Sequence, residues 1–148
     1  MYPFSPVTLA VLSGAGWHVG RKVSQPKYRA FLSSEGYAWF PAVATFLEEF
    51  GDLTLSFKRE DGSADTLNFE ACEAAIVGPW WIQNDYARRI GEVQFCVIGR
   101  AYTNHLLLFM AESGRVYGGF DDYLCFIAPT GIEAIEVICT NQPVKEIP

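Results

Sequence analysis

Between Pro41 and Lys58 the spacing of apolar residues switches from one period to another, and this switch limits the possible folds more than any other stretch. Val43, Phe46, Leu47 and Phe50 recur at i, i+3, i+4 and i+7, the stripe of an amphipathic helix, with Pro41 near the start and Gly51 as the stop. Leu53, Leu55 and Phe57 then alternate with Thr54, Ser56 and Lys58, the pattern of a strand with one wet face. Asp61-Gly62 turns the chain into Leu67-Asn68-Phe69. A helix leading straight into a hairpin presents two apolar faces that can bury each other. A helix packed on an antiparallel sheet is therefore the expected nucleus.

Ser5-Pro6 reads as an N-cap with Pro at the first helical position, followed by an apolar stripe of Val7, Ala10 and Val11 that Gly14 ends. A second helix starts at Ser24, carries Tyr28, Phe31 and Leu32 on one face, and stops by Gly36. Glu70 to Val77 reads as a helical turn. Trp80 to Ile90 forms a fourth helix through Ile82, Tyr86 and Ile90, with Arg88 and Arg89 in its last turn and Gly91 beyond. Val93 to Ile98, Leu106 to Met110, Val116 to Tyr117 and Tyr123 to Ile127 read as strands, the middle two joined by Glu112-Ser113-Gly114. Thr130 and Glu133 form a capping box for a last helix with Ile132, Ile135, Ile138 and Cys139, and Gln142 to Pro148 reads as a frayed tail. The order suits one α+β domain spanning residues 1–148, with an antiparallel or mixed central sheet flanked by helices.

With 148 residues, half of them hydrophobic, the chain is long enough for one full-sized core and lies outside the composition of disordered chains. A net charge of −6 and the lack of any Lys/Arg run longer than two argue against nucleic acid as a partner, because that binding relies on neutralising phosphates. Cys72, Cys96, Cys125 and Cys139 are widely spaced among apolar residues, as free buried thiols are, which fits a reducing compartment. The start lacks a secretory n-region and no apolar run is long enough to span a bilayer. The expected location is cytoplasmic, away from membranes.

Catalytic chemistry finds little support. His18 and His105 are the two histidines, and no nucleophile elbow, CxxC or HxE pattern accompanies either. Gly14-Ala15-Gly16 lacks the Lys-Ser/Thr of a phosphate loop, and acidic Asp121-Asp122 follows Gly118-Gly119, where it would repel phosphate. Glu112, Asp121 and Asp122 lack the spacing of a calcium loop, so no metal or other cofactor is expected.

Gly16-Trp17, Gly20-Arg21, Phe46-Leu47, Phe50-Gly51, Gly99 within Ile98 to Arg100, and Gly114-Arg115-Val116-Tyr117 follow one another in an order that resembles the third subgroup of the SUKH superfamily of bacterial immunity proteins. The resemblance spans Ala10 to Ile138. It departs at Asp52, where the subgroup has a second glycine, at Val97, where a Pro is common, and at Ile127-Ala128, where a glycine is expected. The resemblance implies an α+β fold and a protein that neutralises a polymorphic toxin, nuclease-like or deaminase-like, by direct stoichiometric binding and without catalysis. The shared residues read as structural. Gly51 suits a left-handed position after the helix, and Trp17 caps the core with an indole N–H that needs an acceptor. Arg21 either ties loops to carbonyls or carboxylates or contacts a partner.

Three features offer a binding surface for that toxin domain. Trp80 and Trp81 are adjacent, so on a helix they point about 100° apart and cannot share one core; Tyr86 lies on the same helix. Glu48 and Glu49 sit in the last turn of the third helix, where the dipole disfavours anions and a basic partner would offset the cost. Tyr117, Phe120, Asp121, Asp122 and Tyr123 interleave rings with acids in an expected loop, and Glu112 adds a further carboxylate. The same features also fit ordinary packing and solvated faces. Two other functions stay open: a SUKH-like scaffold that docks a cellular protein unrelated to toxins, and a small hydrolase using His18 or His105.

Overall fold

The structure, a computed structural model, describes residues 4–76 and 79–148. Its elements in chain order are α1 (Pro6–Gly14), α2 (Pro26–Ser34), α3 (Pro41–Phe50), β1 (Thr54–Lys58), β2 (Ala64–Asn68), α4 (Ala71–Ala75), a π-helical turn (Ile82–Tyr86) running into α5 (Ala87–Ile90), β3 (Phe95–Ala101), β4 (Leu106–Ala111), β5 (Val116–Phe120), β6 (Tyr123–Ala128), α6 (Gly131–Cys139) and β7 (Lys145–Glu146). The strands form one seven-stranded sheet in chain order, β1 to β7, and every neighbouring pair is antiparallel. The fold is α+β, and the sheet is purely antiparallel rather than mixed, with turns joining β1–β2, β3–β4, β4–β5 and β5–β6 and helical links joining β2–β3 and β6–β7.

The two faces of the sheet are covered differently. Phe109 and Tyr117 are register partners on one face, where Tyr86 stacks on Phe109 at 5.5 Å and Phe95 meets it edge-on at 5.6 Å. Met110 and Val116, the next pair, point to the opposite face, where α3 and α6 lie. There Gly131 opens α6 against Phe46 of α3 and the Met110 methyl, with no room for a Cβ. Phe46 also meets Phe69 edge-on at 4.9 Å, so the helix-then-hairpin stretch does bury its two apolar faces against each other. Val43, Phe46, Leu47 and Phe50 are all buried.

Several elements depart from the pattern-based reading. In α1 the buried residues are Thr8 and Leu12, whereas Val7 is 59% exposed and Ala10 is exposed. The helix is apolar on nearly every side, so periodicity could not choose its inner face. Contacts at its start set the rotation: the Ser5 amide and hydroxyl both donate to the Glu136 carboxylate of α6 at 2.8 Å. Gly51 has φ −55°, and the left-handed residue is Asp52 at φ 69°. Gly51 must instead be glycine because a Cβ would lie 2.5 Å from the Leu47 carbonyl oxygen and 2.8 Å from the Tyr28 hydroxyl.

The stretch from Tyr117 to Tyr123 is not the expected loop, because the strand continues through Gly118 and Gly119. They lie inside β5, where Leu106 and Ile127 fill the space beside the first and the Tyr86 ring fills that beside the second. Residues 142–148 are not frayed: β7 pairs with β6, and the Ile147 amide donates to the Leu124 carbonyl at 2.8 Å. Val93 is exposed ahead of β3, and Val77, the end of the expected helical turn, lies outside the described residues.

Candidate functional site

Part of the set that carries the resemblance, Trp17, Arg21, Phe46, Phe50 and Gly51, assembles at the end of α3. Trp17 stacks parallel to Phe50 at 6.5 Å, takes the Phe4 ring edge-on, and donates its indole N–H to Glu49 Oε2 at 3.1 Å. Arg21 donates Nη1 to the Glu49 carbonyl at 2.6 Å and Nη2 to the Gly51 carbonyl at 2.8 Å. The guanidinium thus satisfies carbonyls that a helix C-terminus leaves open and places a cation at the negative end of the dipole. Asp52 accepts from the Tyr28 hydroxyl and pairs with Lys27 at 2.7 Å. Burial alone would raise its carboxyl, but those hydrogen bonds and the charges of Lys27 and Arg21 outweigh it and hold the group below the usual carboxylate range. Glu48 is half-buried, and Glu49 serves the Trp17 indole. This region holds the domain together.

A second constellation gathers around Tyr86. The helical stretch from 80 to 90 widens into the π turn at Ile82–Tyr86, a distortion that recurs at functional sites. The Asn84 side-chain amide donates to the Trp80 carbonyl at 2.9 Å. Trp81 is half-buried and stacks on Tyr86 at 6.1 Å, while Trp80 leans edge-on against Trp81 and stays 61% exposed. Tyr86 itself is 1% exposed, and its hydroxyl donates to the Asp121 carbonyl. Burial first, then nearby Asp85 and Asp121, push this hydroxyl well above its ordinary range, so it stays a neutral donor.

Tyr86 thereby joins the helix to the β5–β6 turn. Phe120 and Tyr123, register partners flanking that turn, stack at 5.1 Å, with Phe120 49% exposed and Tyr123 half-buried. They lie on the face of the sheet opposite Tyr86, since Gly119 between them and Tyr117 faces the Tyr86 ring. Asp121 and Asp122 are exposed at the tip, and among the described residues neither takes part in an ion pair. Asp85, by contrast, is bound by Arg88 and Arg89 at 2.7 Å each.

Arg89 is the residue that sequence reasoning underrated. Besides Asp85 it donates to the carbonyls of Asp122, Ile147 and Pro148, tying α5, the β5–β6 turn and the C-terminal strand together. Its partners are main-chain oxygens far along the chain, which leave no side-chain signature.

Phe120, Asp121, Asp122 and Tyr123 thus gather at the β5–β6 turn, and Trp80 and Trp81 are joined to them through Tyr86, which stacks on Trp81 and bonds to the turn; these two linked features form the candidate rim. Tyr86 and Tyr117, the latter 3% exposed, lie beneath it as core rings with no surface to offer a partner. Tyr117 donates its hydroxyl to Glu92 at 3.2 Å. Glu112 sits in the β4–β5 turn at the other end of β5, and Glu48 and Glu49 belong to the α3 terminus. His18 and His105 are both exposed, and among the described residues no cluster of His, Cys, Asp or Glu could hold a metal ion.

The profile described as SUKH-3 immunity protein matches residues 4–141, nearly the whole chain. The chain belongs to the SUKH-3 immunity protein family. Membership agrees with the α+β fold and with the structural use of the glycine-aromatic motifs around Trp17, Gly51 and Gly99. No curated protein and no solved structure matches this SUKH-3 chain. Among the described residues no helix is long and apolar enough to cross a membrane.

Proposed function

We propose that this SUKH-3 protein is the cytoplasmic antidote to a polymorphic toxin domain, nuclease-like or deaminase-like, and that it neutralises the toxin by stoichiometric association without chemistry of its own. The supporting observation is the rim: Trp80 and Phe120 stand exposed, the latter next in sequence to the exposed carboxylates of Asp121 and Asp122, in a protein of an immunity family. Exposed aromatics dominate binding energy at interfaces, while surface carboxylates speed the approach of a basic partner. The rings would enter pockets of the toxin, and the acids would set orientation and on-rate. Trp81, stacked on Tyr86, backs the Trp80 ring, and Tyr123 backs Phe120.

The test is co-expression with the toxin domain encoded beside this gene, followed by affinity measurement on purified proteins. Trp80→Ala and Phe120→Ala are each expected to weaken binding by about thirtyfold or more, as hot-spot truncations do. Asp121→Asn with Asp122→Asn should slow association and flatten its salt dependence. Wild-type affinity in both aromatic variants would discard the rim as the interface. Failure to protect against any neighbouring toxin, with binding to a host protein instead, would favour the scaffold function.

A further inference from the structure

The free edge of the sheet points to a second docking site, independent of the aromatic rim. In the β1–β2 hairpin the Phe69 amide donates to the Leu53 carbonyl and the Arg59 amide to the Ser63 carbonyl, at 2.8 Å each. With the register Leu55↔Leu67 and Phe57↔Asp65, the odd-numbered residues of β1 therefore bond to β2. The amides and carbonyls of Thr54 and Ser56 and the amide of Lys58 must point the other way, along an edge that no strand among the described residues pairs with. The Lys58 carbonyl bears this out: the Asn141 side chain, just past α6, donates to it at 2.8 Å.

Alongside this edge runs a groove of ≈ 750 Å³, walled by α1 and by β1, with the end of α6 closing it. Its wall is the stripe Val7, Ala10, Val11 and Gly14 of α1, of which Val7, Ala10 and Gly14 are exposed and Val11 also packs against the core. A row of outward main-chain donors and acceptors next to an apolar wall matches one kind of occupant, an extended backbone. The small residues Ala10 and Gly14 leave width for its side chains. A second copy pairing through its own β1 would bring its own α1 into the same space, so the groove suits a lone strand.

We propose that this groove docks an extended segment of a partner protein, which adds to the sheet beside β1. Its main chain bonds to Thr54, Ser56 and Lys58, and aliphatic side chains at alternate positions pack against Val7, Val11 and the open space at Ala10 and Gly14.

A short synthetic peptide alternating valine and threonine is the probe, with fluorescence anisotropy for binding and amide hydrogen exchange for location. Saturable binding is expected, with slowed exchange at the amides of Thr54, Ser56 and Lys58. Ser56→Pro removes one outward amide without touching the β1–β2 ladder, as proline is tolerated on an edge strand. Ala10→Arg fills the groove from an exposed helix position, and it carries the test alone if the proline variant fails to fold. Each is expected to weaken peptide binding by at least about tenfold. The proposal is overturned if the peptide leaves those amides unchanged, or if the folded variants bind it as the wild type does. Protection of the same amides that rises with protein concentration in the absence of peptide would also overturn it, because a second copy would then cover the edge. Trp80→Ala should leave peptide binding unchanged, which separates this site from the rim.

Discussion

Gly99→Ala should damage this protein more than any other single methyl addition on the sheet, and the reason is a close approach of two backbones. An ideal Cβ at Gly99 lies 1.9 Å from the Asn68 carbonyl oxygen, 2.9 Å from its carbon and 3.0 Å from Phe69 Cα, against an ordinary contact of 3.4–4 Å. The first of these atoms would have to retreat by about 1.5 Å, and all three belong to main chain, which cannot rotate away as a side chain can. Asn68 is also half of the joint between β2 and β3, which consists of the pairs Leu67↔Ala101 and Asn68↔Arg100 alone. Overpacking costs about 1–3 kcal/mol, and losing one or two ladder bonds adds about 1 kcal/mol each, so a loss of about 2–5 kcal/mol is expected. At about 2–4 °C per kcal/mol, the midpoint should fall by roughly 4–20 °C. Urea unfolding at constant m-value and a thermal scan measure this. Gly14→Ala is the control: nothing lies within 4 Å of its Cβ, and the residue ends a helix, so stability should stay within about 1 kcal/mol of wild type or rise. If Gly99→Ala melts within a few degrees of the control, the close approach is wrong.

Arg21→Ala should cost about 1–3 kcal/mol, because it leaves the Glu49 and Gly51 carbonyls without their donor, and Arg21→Lys should recover only part of that since an ammonium lacks the fork that spans both oxygens; urea midpoints test both. Asp52 makes stability depend on acid. Its folded pKa is depressed, so its contribution is complete above the unfolded carboxylate value near 4 and disappears as pH falls through the lower folded value. Asp52→Asn should therefore flatten the acid limb of a stability-versus-pH curve and leave its neutral-to-basic limb alone, and an unchanged acid limb would remove Asp52 from that role. Tyr86→Phe keeps the stack on Phe109 but deletes the bond to the Asp121 carbonyl, for an expected loss of about 0.5–1.5 kcal/mol and faster amide exchange in the β5–β6 turn.

What the sequence made legible follows from local signals, and what it hid depended on distant partners. The α3 stripe, the β1–β2 hairpin and the Thr130 cap of α6 appear where the patterns place them, since each is written within one or two turns of chain. The inner face of α1 was hidden because Val7, Leu9, Ala10, Val11 and Leu12 crowd its circumference, and Glu136 of α6 decides the rotation. That Gly118-Gly119 continue a strand is hidden because a strand seldom tolerates two glycines; rings and methyls arriving from β4, β6 and the π turn make them necessary. Of the proposed contact residues, adjacency alone marks Trp80 and Trp81 as unable to share a core, and Trp80 is exposed. Tyr86 and Tyr117 carry the same composition signal as Phe120 but lie inside, since strand register and helix phase, not residue type, decide which ring reaches solvent.

The residues that carry the resemblance and the proposed contacts occupy different parts of the molecule, and this division has a physical reason. Trp17, Arg21, Phe46, Phe50 and Gly51 interlock at the α3 terminus through a stacked ring pair, an indole bond and a two-pronged guanidinium. Gly99 sets β3 against β2, and the turn residue Gly114 takes φ 92°, a backbone state that side chains resist. None of these atoms can change without disturbing a neighbour in the core. Trp80, Phe120, Asp121 and Asp122 have no such constraint: each projects from a helix start or a strand turn already secured by Tyr86 and Arg89. A protein built this way can exchange its rim residues for a new partner at small cost in stability, provided the two anchors stay. Replacing Trp80 and Phe120 together by serine should accordingly abolish partner binding while moving the melting midpoint far less than Tyr86→Ala, which opens a cavity under both features and should cost about 3–5 kcal/mol. If instead the surface pair proves as destabilising as the buried ring, the rim is part of the core and the interface must be sought elsewhere.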